Sequence, residues 1–148
     1  MTPALQSPLR RVVIATFEDL ALLLPATESG VPTPRPAFAH AARVAFTGPR
    51  SGYLDVRASE GVAAAAAKNM LADGAPTVAL CLDALAELAN VICGNVVPLL
   101  ANADDIYRLE APTDAPLAPP SRADARVDLD VEGGRIEVRL VLTPGHGA

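Results

Sequence analysis

Apolar positions recur along this chain with two different periods, and each switch of period marks a change of element. Val13, Phe17, Leu20 and Leu24 fall at steps of four, three and four. This predicts an amphipathic helix over 9–24, preceded by a flexible start, residues 1–8. Pro25, Pro32, Pro34 and Pro36 then predict an extended connection, because each ring fixes φ and disfavours helix in the residue before it. Residues 41–47 and 53–58 read as two strands around the turn cluster Gly48-Pro49-Arg50-Ser51-Gly52, a hairpin. In the second strand Leu54 and Val56 share one side, and Asp55 and Arg57 the other.

The Ala-rich run 60–73 has high helix propensity, with Ser59 placed as its N-cap and Gly74 as its stop. Pro76 and Thr77 start a third helix over about 77–102, with Pro98 as a point of bending. A short strand at 106–110, a Pro-rich loop over 112–120 and a last hairpin complete the pattern. The hairpin strands are 125–132 and 135–142, joined by Gly133-Gly134. Val127, Leu129 and Val131 share a face, as do Ile136, Val138 and Leu140. The order α-β-β-α-α-β-β-β predicts an α+β domain over 9–142, a mostly antiparallel sheet with helices packed on it. Residues 143–148 form a flexible tail, and no internal repeat is visible.

Composition narrows the function classes. A chain of 148 residues, 51% apolar, has the size of one domain and can bury a real core. Aromatics are 3% with no Trp, so the core is built from Ala, Val and Leu, and stacking platforms for single-stranded nucleic acid are missing. Net charge is −5, and Arg10-Arg11 is the only basic pair. A phosphate-backbone binder needs a basic stripe, so nucleic acid is excluded as a partner.

Cys81 and Cys93 on one helix would stand roughly 18 Å apart, too far for a disulfide. Free thiols fit a reducing cytoplasm. With only two His residues, His40 and His146, no metal cage is expected; the two lie far apart in sequence, in loops or strand ends, so no catalytic His is expected either. Glu18-Asp19 interrupt the apolar run after Arg10-Arg11, and no apolar stretch is expected to reach transmembrane length. The reading is a cytoplasmic protein with no membrane partner.

The third helix carries the candidate chemistry. Leu85, Leu88, Ile92, Val96 and Leu99 form its apolar stripe. Asp83, Glu87, Asn90 and Gly94 recur at four, three and four on a different face, so Glu87 and Asn90 can act on the same object. Asn is a mediocre helix former, and Gly94 costs helix stability unless a partner or a neighbouring helix approaches closely. Asn95 reads as a structural residue that bonds to backbone, and Asp83 as a rim contact or a plain surface carboxylate. Ser59 is a cap before it is a nucleophile. Asn102, Asp104 and Asp105 resemble a helix end and turn. Gly133-Gly134 has no helix after it to make a phosphate loop.

The segment Glu87-Leu88-Ala89-Asn90-Val91-Ile92-Cys93-Gly94-Asn95 resembles the signature of the CheC/CheX/FliY chemotaxis phosphatases, a Glu-x-x-Asn on a helix followed by Gly-Asn. The order of elements over residues 9–142 is similar to the CheX-like branch, including the short strand and Thr-Pro-like loop around Tyr107–Thr113. The resemblance implies a hydrolase acting on the aspartyl phosphate of a CheY-like receiver domain. Asn90 would orient the attacking water, and Glu87 would dock to a receiver lysine. Asp83 and Gly94 would contact the partner. The receiver would bring its own Mg²⁺, leaving this chain with no cofactor of its own. The single motif implies a homodimer, with an edge of the last hairpin available for pairing. A non-catalytic receiver-binding or scaffold module is the alternative, differing only in turnover.

Overall fold

The computed structural model describes residues 3–26, 35–71, 75–102, 104–118 and 122–143. Its elements are α1 (Pro3–Ala21), β1 (Phe38–Thr47), β2 (Gly52–Ser59), α2 (Glu60–Leu71), α3 (Val78–Leu100), β3 (Arg108–Leu109), β4 (Thr113–Asp114), β5 (Ala125–Val131) and β6 (Gly134–Leu142). The strands form one antiparallel sheet in the order β3-β1-β2-β6-β5, with β4 also on the outer side of β1. The fold is α+β, as the periodicities imply.

Packing moved several boundaries. α1 starts at Pro3, so residues 3–8 are helical rather than a frayed start. Pro8 lies inside the helix, where it costs about 3 kcal/mol. Leu5 and Leu9 are both buried, and at about 1.5–3 kcal/mol each their burial offsets the proline. The helix ends at Ala21, where Leu22 takes φ 57° and the Leu23 N–H closes on the Phe17 carbonyl at 3.1 Å. Leu24 therefore lies beyond the helix and is exposed, and Leu23 is buried in its place.

Ser59 does not cap α2. It ends β2, and its hydroxyl accepts from the Arg135 N–H at 3.0 Å, fixing β2 to β6. Thr77 does cap α3, accepting from the Leu80 N–H at 3.2 Å. Gly74 and the tail 144–148 lie outside the described residues. The segment read as a Pro-rich loop contributes β4, which pairs Thr113 with Arg43 and Asp114 with Ala42. The last hairpin turns on Glu132-Gly133, one residue earlier than expected, because Val131 pairs with Gly134.

α3 is the helix the others surround. It lies over β1 and β2 and packs against both α1 and α2, which also touch each other. Cys81, Ala84, Leu85, Leu88, Ala89, Ile92, Cys93, Val96 and Val97 are buried along it, while Leu99 is half exposed. Contrary to the sequence expectation, α3 is long and apolar enough to cross a membrane, and half of that apolar stretch is buried inside the domain. This is the pattern of a core helix, seated on the strands that carry Val44, Leu54 and Val56. Small residues line its neighbours: Ala63, Ala66 and Ala67 of α2 are buried.

The opposite face of the sheet is ionic. Asp55 is fully buried and accepts from Arg43 at 2.6 and 2.9 Å and from Arg57 at 3.0 Å. Arg57, also fully buried, donates to the Pro116 carbonyl at 2.9 Å and pairs with Glu137 at 3.6 Å. Glu137 accepts from Arg126 and Arg139, each at 2.9 Å. Burial pushes the Glu137 carboxyl up, but the hydrogen bonds and charges of Arg139 and Arg126 outweigh it and hold the group below its usual range. A lowered folded-state pKa means stability that is present above the unfolded value and lost as pH falls through the folded value. Urea midpoints measured from about pH 7 downward should therefore decline once pH drops below 4.5, the ordinary value. Glu137→Gln should remove that part of the decline.

Candidate functional site

The face of α3 turned away from the sheet presents Asp83, Glu87, Asn90 and Gly94, all exposed. Each is three or four residues from the next, so they form one stripe along the helix. Among the described residues neither Glu87 nor Asn90 has a side-chain hydrogen-bond or ion-pair partner. Both are free to meet something outside the chain. The buried face of the same helix fixes where they point, since Leu85, Leu88, Ala89 and Ile92 are fully enclosed.

Two depressions flank the stripe. A cleft of about 410 Å³ lies at its C-terminal end, lined by Gly94, Pro98, Asn102, Asp105, Tyr107 and Leu109 among others. Its floor holds the Tyr107 ring, tilted against Phe46 at 6.1 Å between centroids. The Asn102 N–H donates to Asp105 Oδ2 at 2.7 Å and the Asp105 N–H to the Asn102 carbonyl at 3.0 Å, so these residues form the expected turn. A groove of about 480 Å³ runs between α1 and α3, with Arg11, Thr16, Asp19, Val91 and Asn95 on its walls. Asn95 donates to the Val91 carbonyl at 2.9 Å, bonding to backbone as its sequence context suggested. The groove residues of α1 carry no sequence signal, because only the packing of α1 beside α3 brings them near the stripe.

Among the described residues outside its own helix, a β-carbon at Gly94 would touch only the Leu109 side chain, at 4.0 Å. Packing within the chain does not require a glycine there. The space belongs to the surface, beside the cleft.

Cys81 and Cys93 are free and buried. Burial pushes the Cys93 thiol up to about 12, which removes it as a nucleophile. Burial and then the charge of Glu60 also raise the Cys81 thiol. His40, read as a loop or strand-end residue, sits in β1 with its Nε2 at 2.8 Å from Glu60 Oε2.

The sequence pattern of the family described as chemotaxis phosphatase CheX matches residues 40–124, more than half of the chain and all of α3. The chain belongs to the CheX family. Solved structures of the family share its fold. Chemotaxis protein CheX of Desulfovibrio desulfuricans is 19% identical, with 93% of this chain and 97% of that one aligned at a TM-score of 0.69. CheX of Vibrio vulnificus is 14% identical, covering 93% and 95% at a TM-score of 0.66. CheX in a complex with CheY, BeF3 and Mg²⁺ from Borrelia burgdorferi is 14% identical, covering 93% and 97% at a TM-score of 0.65. No curated protein sequence matches the chain at a significant level.

Proposed function

We propose that this CheX-family chain dephosphorylates the aspartyl phosphate of a CheY-like receiver domain. The observation that carries the reading is the exposed pair Glu87 and Asn90, unpartnered among the described residues, on one side of a helix whose other side is locked into the core. Hydrolysis of an acyl phosphate needs a water held in line with phosphorus, and a side-chain amide can orient it through its carbonyl oxygen and amino group, as a Gln does in small GTPases. Asn90 takes that role. Glu87 pairs with a receiver lysine and sets the docking register. Asp83 and Gly94 extend the contact to either end of the stripe, and the cleft beside Gly94 accepts part of the receiver surface.

The reaction places no demand for a metal on this chain, because the receiver brings Mg²⁺ to its own phosphorylated Asp. The CheX of Borrelia burgdorferi is seen with CheY, BeF3 and Mg²⁺, which supports the same division of labour. Positioning of one water is a large rate effect by itself. A phosphorylated receiver mixed with the protein should lose phosphate faster than alone. Decay unchanged by the protein, with binding retained, would establish the non-catalytic module instead.

Gly94→Ala separates the site from the fold. Helix propensity favours Ala by about 0.5–1 kcal/mol, and the structure has room for the methyl group. The variant should melt about 1–4 °C higher and yet dephosphorylate more slowly, because the methyl group stands where the receiver approaches.

The proposal includes a homodimer, but not through the outer edge of β5. Gln6 holds both the N–H and the carbonyl of Arg126. The Ala26 N–H donates to the Asp130 carbonyl at 2.8 Å, and the Glu132 N–H to the Leu24 carbonyl at 3.2 Å. That edge is already covered by this chain's own segments. A light-scattering mass of one chain would overturn the dimer.

A further inference from the structure

The beginning of β1, the first residue of α2 and the first turn of α3 meet at one corner of the helix-covered side of the sheet. There His40, Glu60 and Cys81 bring an imidazole nitrogen, a carboxylate oxygen and a sulfur within 4.8 Å of one another. The three come from separate elements, so their meeting is a property of the fold. His40 is aimed by an irregularity: the β1–β2 register shifts between Phe38 and His40, and such bulges re-aim a side chain. His40 and Cys81 are buried, at 7% and 1% exposure, whereas Glu60 is mostly exposed. The corner is closed on the core side and open to solvent on one.

The donor set selects the ligand. A thiolate and an imidazole with one carboxylate suit zinc and its borderline-soft neighbours, whereas Mg²⁺ and Ca²⁺ want oxygen alone. Zinc bonds of about 2.0–2.3 Å in tetrahedral geometry place N and S ligands about 3.5 Å apart. The three donors need to draw together by only about an ångström. A His40–Glu60 ion pair that merely pinned α2 to β1 would need no third donor, and an apolar side chain would fill position 81 equally well.

We propose that His40, Glu60 and Cys81 bind a zinc-class divalent cation, with the fourth position left to water. The Cys81 S–H proton passes to solvent as the sulfur–metal bond forms. His40 binds neutral through Nε2, and Glu60 binds as the carboxylate. The ion ties β1, α2 and α3 together less than two helical turns before Glu87. It is separate from the Mg²⁺ of the receiver and takes no part in the hydrolysis.

The test is titration of the full chain, stripped with chelator and dialysed, with Co²⁺ and then Zn²⁺. One Co²⁺ per chain should give tetrahedral visible bands and a near-ultraviolet sulfur-to-cobalt charge-transfer band, both removed when Zn²⁺ displaces it. Cys81→Ala should abolish the charge-transfer band, and Cys93→Ala should keep it. Glu60→Ala, at an exposed position that does not threaten the fold, should weaken binding by more than about 10-fold. Asn90→Ala should bind as wild type does, so the result stands apart from the phosphatase reading. Absence of one-to-one binding, a band that survives Cys81→Ala, or wild-type affinity in Glu60→Ala and His40→Gln would each overturn the site. Should Cys81→Ala fail to fold by circular dichroism, the Glu60 and His40 variants decide.

Discussion

Asn90→Ala is expected to slow the stimulated loss of phosphate from a CheY-like receiver by about 100-fold or more, with the receiver still bound. Asn90 is exposed, and among the described residues its side chain has no hydrogen-bond partner, so truncation costs the domain nothing in packing, and Ala is the better helix former. On the proposed mechanism, in which the amide acts on the water as it attacks, the loss should appear in kcat. Glu87→Ala should instead raise KM, since docking is the role proposed for the carboxylate. Single-turnover decay of labelled receiver phosphate, followed at several concentrations of each variant, separates the two. Equal turnover by wild type and Asn90→Ala would remove the amide from the mechanism.

Asp55→Ala is expected to cost about 3–5 kcal/mol of stability, a large share of the roughly 5–15 kcal/mol that holds such a domain together. Asp55 has no solvent exposure and accepts from two arginines. Its removal leaves the buried Arg57 guanidinium with Glu137 at 3.6 Å and one carbonyl. Among the described residues Arg57 Nη1 already lacks a hydrogen-bond partner, and none of them stands ready to take up the lost interaction. Arg35→Ala is the contrast. Arg35 is 40% exposed, and surface pairs of that kind contribute about 0–1 kcal/mol. Urea unfolding of both variants measures the difference. A loss below about 1 kcal/mol for Asp55→Ala would mean that the buried lattice contributes no more than a surface pair.

Periodicity was sufficient to find the elements, because burial of one face is what makes each of them form. Ile136, Val138 and Leu140 are fully buried, as are Leu85, Leu88 and Ile92. The exposed stripe Asp83, Glu87, Asn90 and Gly94 was legible for the complementary reason: four residues on one face of an otherwise apolar helix have nowhere to go but outward. Ends and short pairings were not legible. Pro8 looks like a boundary until Leu5 and Leu9 are seen to pack. β4 exists because β1 has an unfilled outer side, not because Thr113 and Asp114 favour strand. Ser59 looks like a cap until the β2–β6 register sets its hydroxyl against Arg135. The meeting of His40, Glu60 and Cys81 lies deeper still, since no spacing along the chain announces a corner where three elements converge.

The interior around α3 is made largely of alanine and valine, with Ala63, Ala66, Ala67, Ala84 and Ala89 enclosed. Such side chains have few rotamers to lose on folding or to explore afterwards. A helix bedded in them has little slack to rock or slide, and α2 can press against it almost backbone to backbone. The carboxylate and amide on its outer side thus arrive at a partner with their spacing already set. Under the proposed function, association would need to freeze little more than two side chains, which suits a brief encounter that must form, act and dissolve many times.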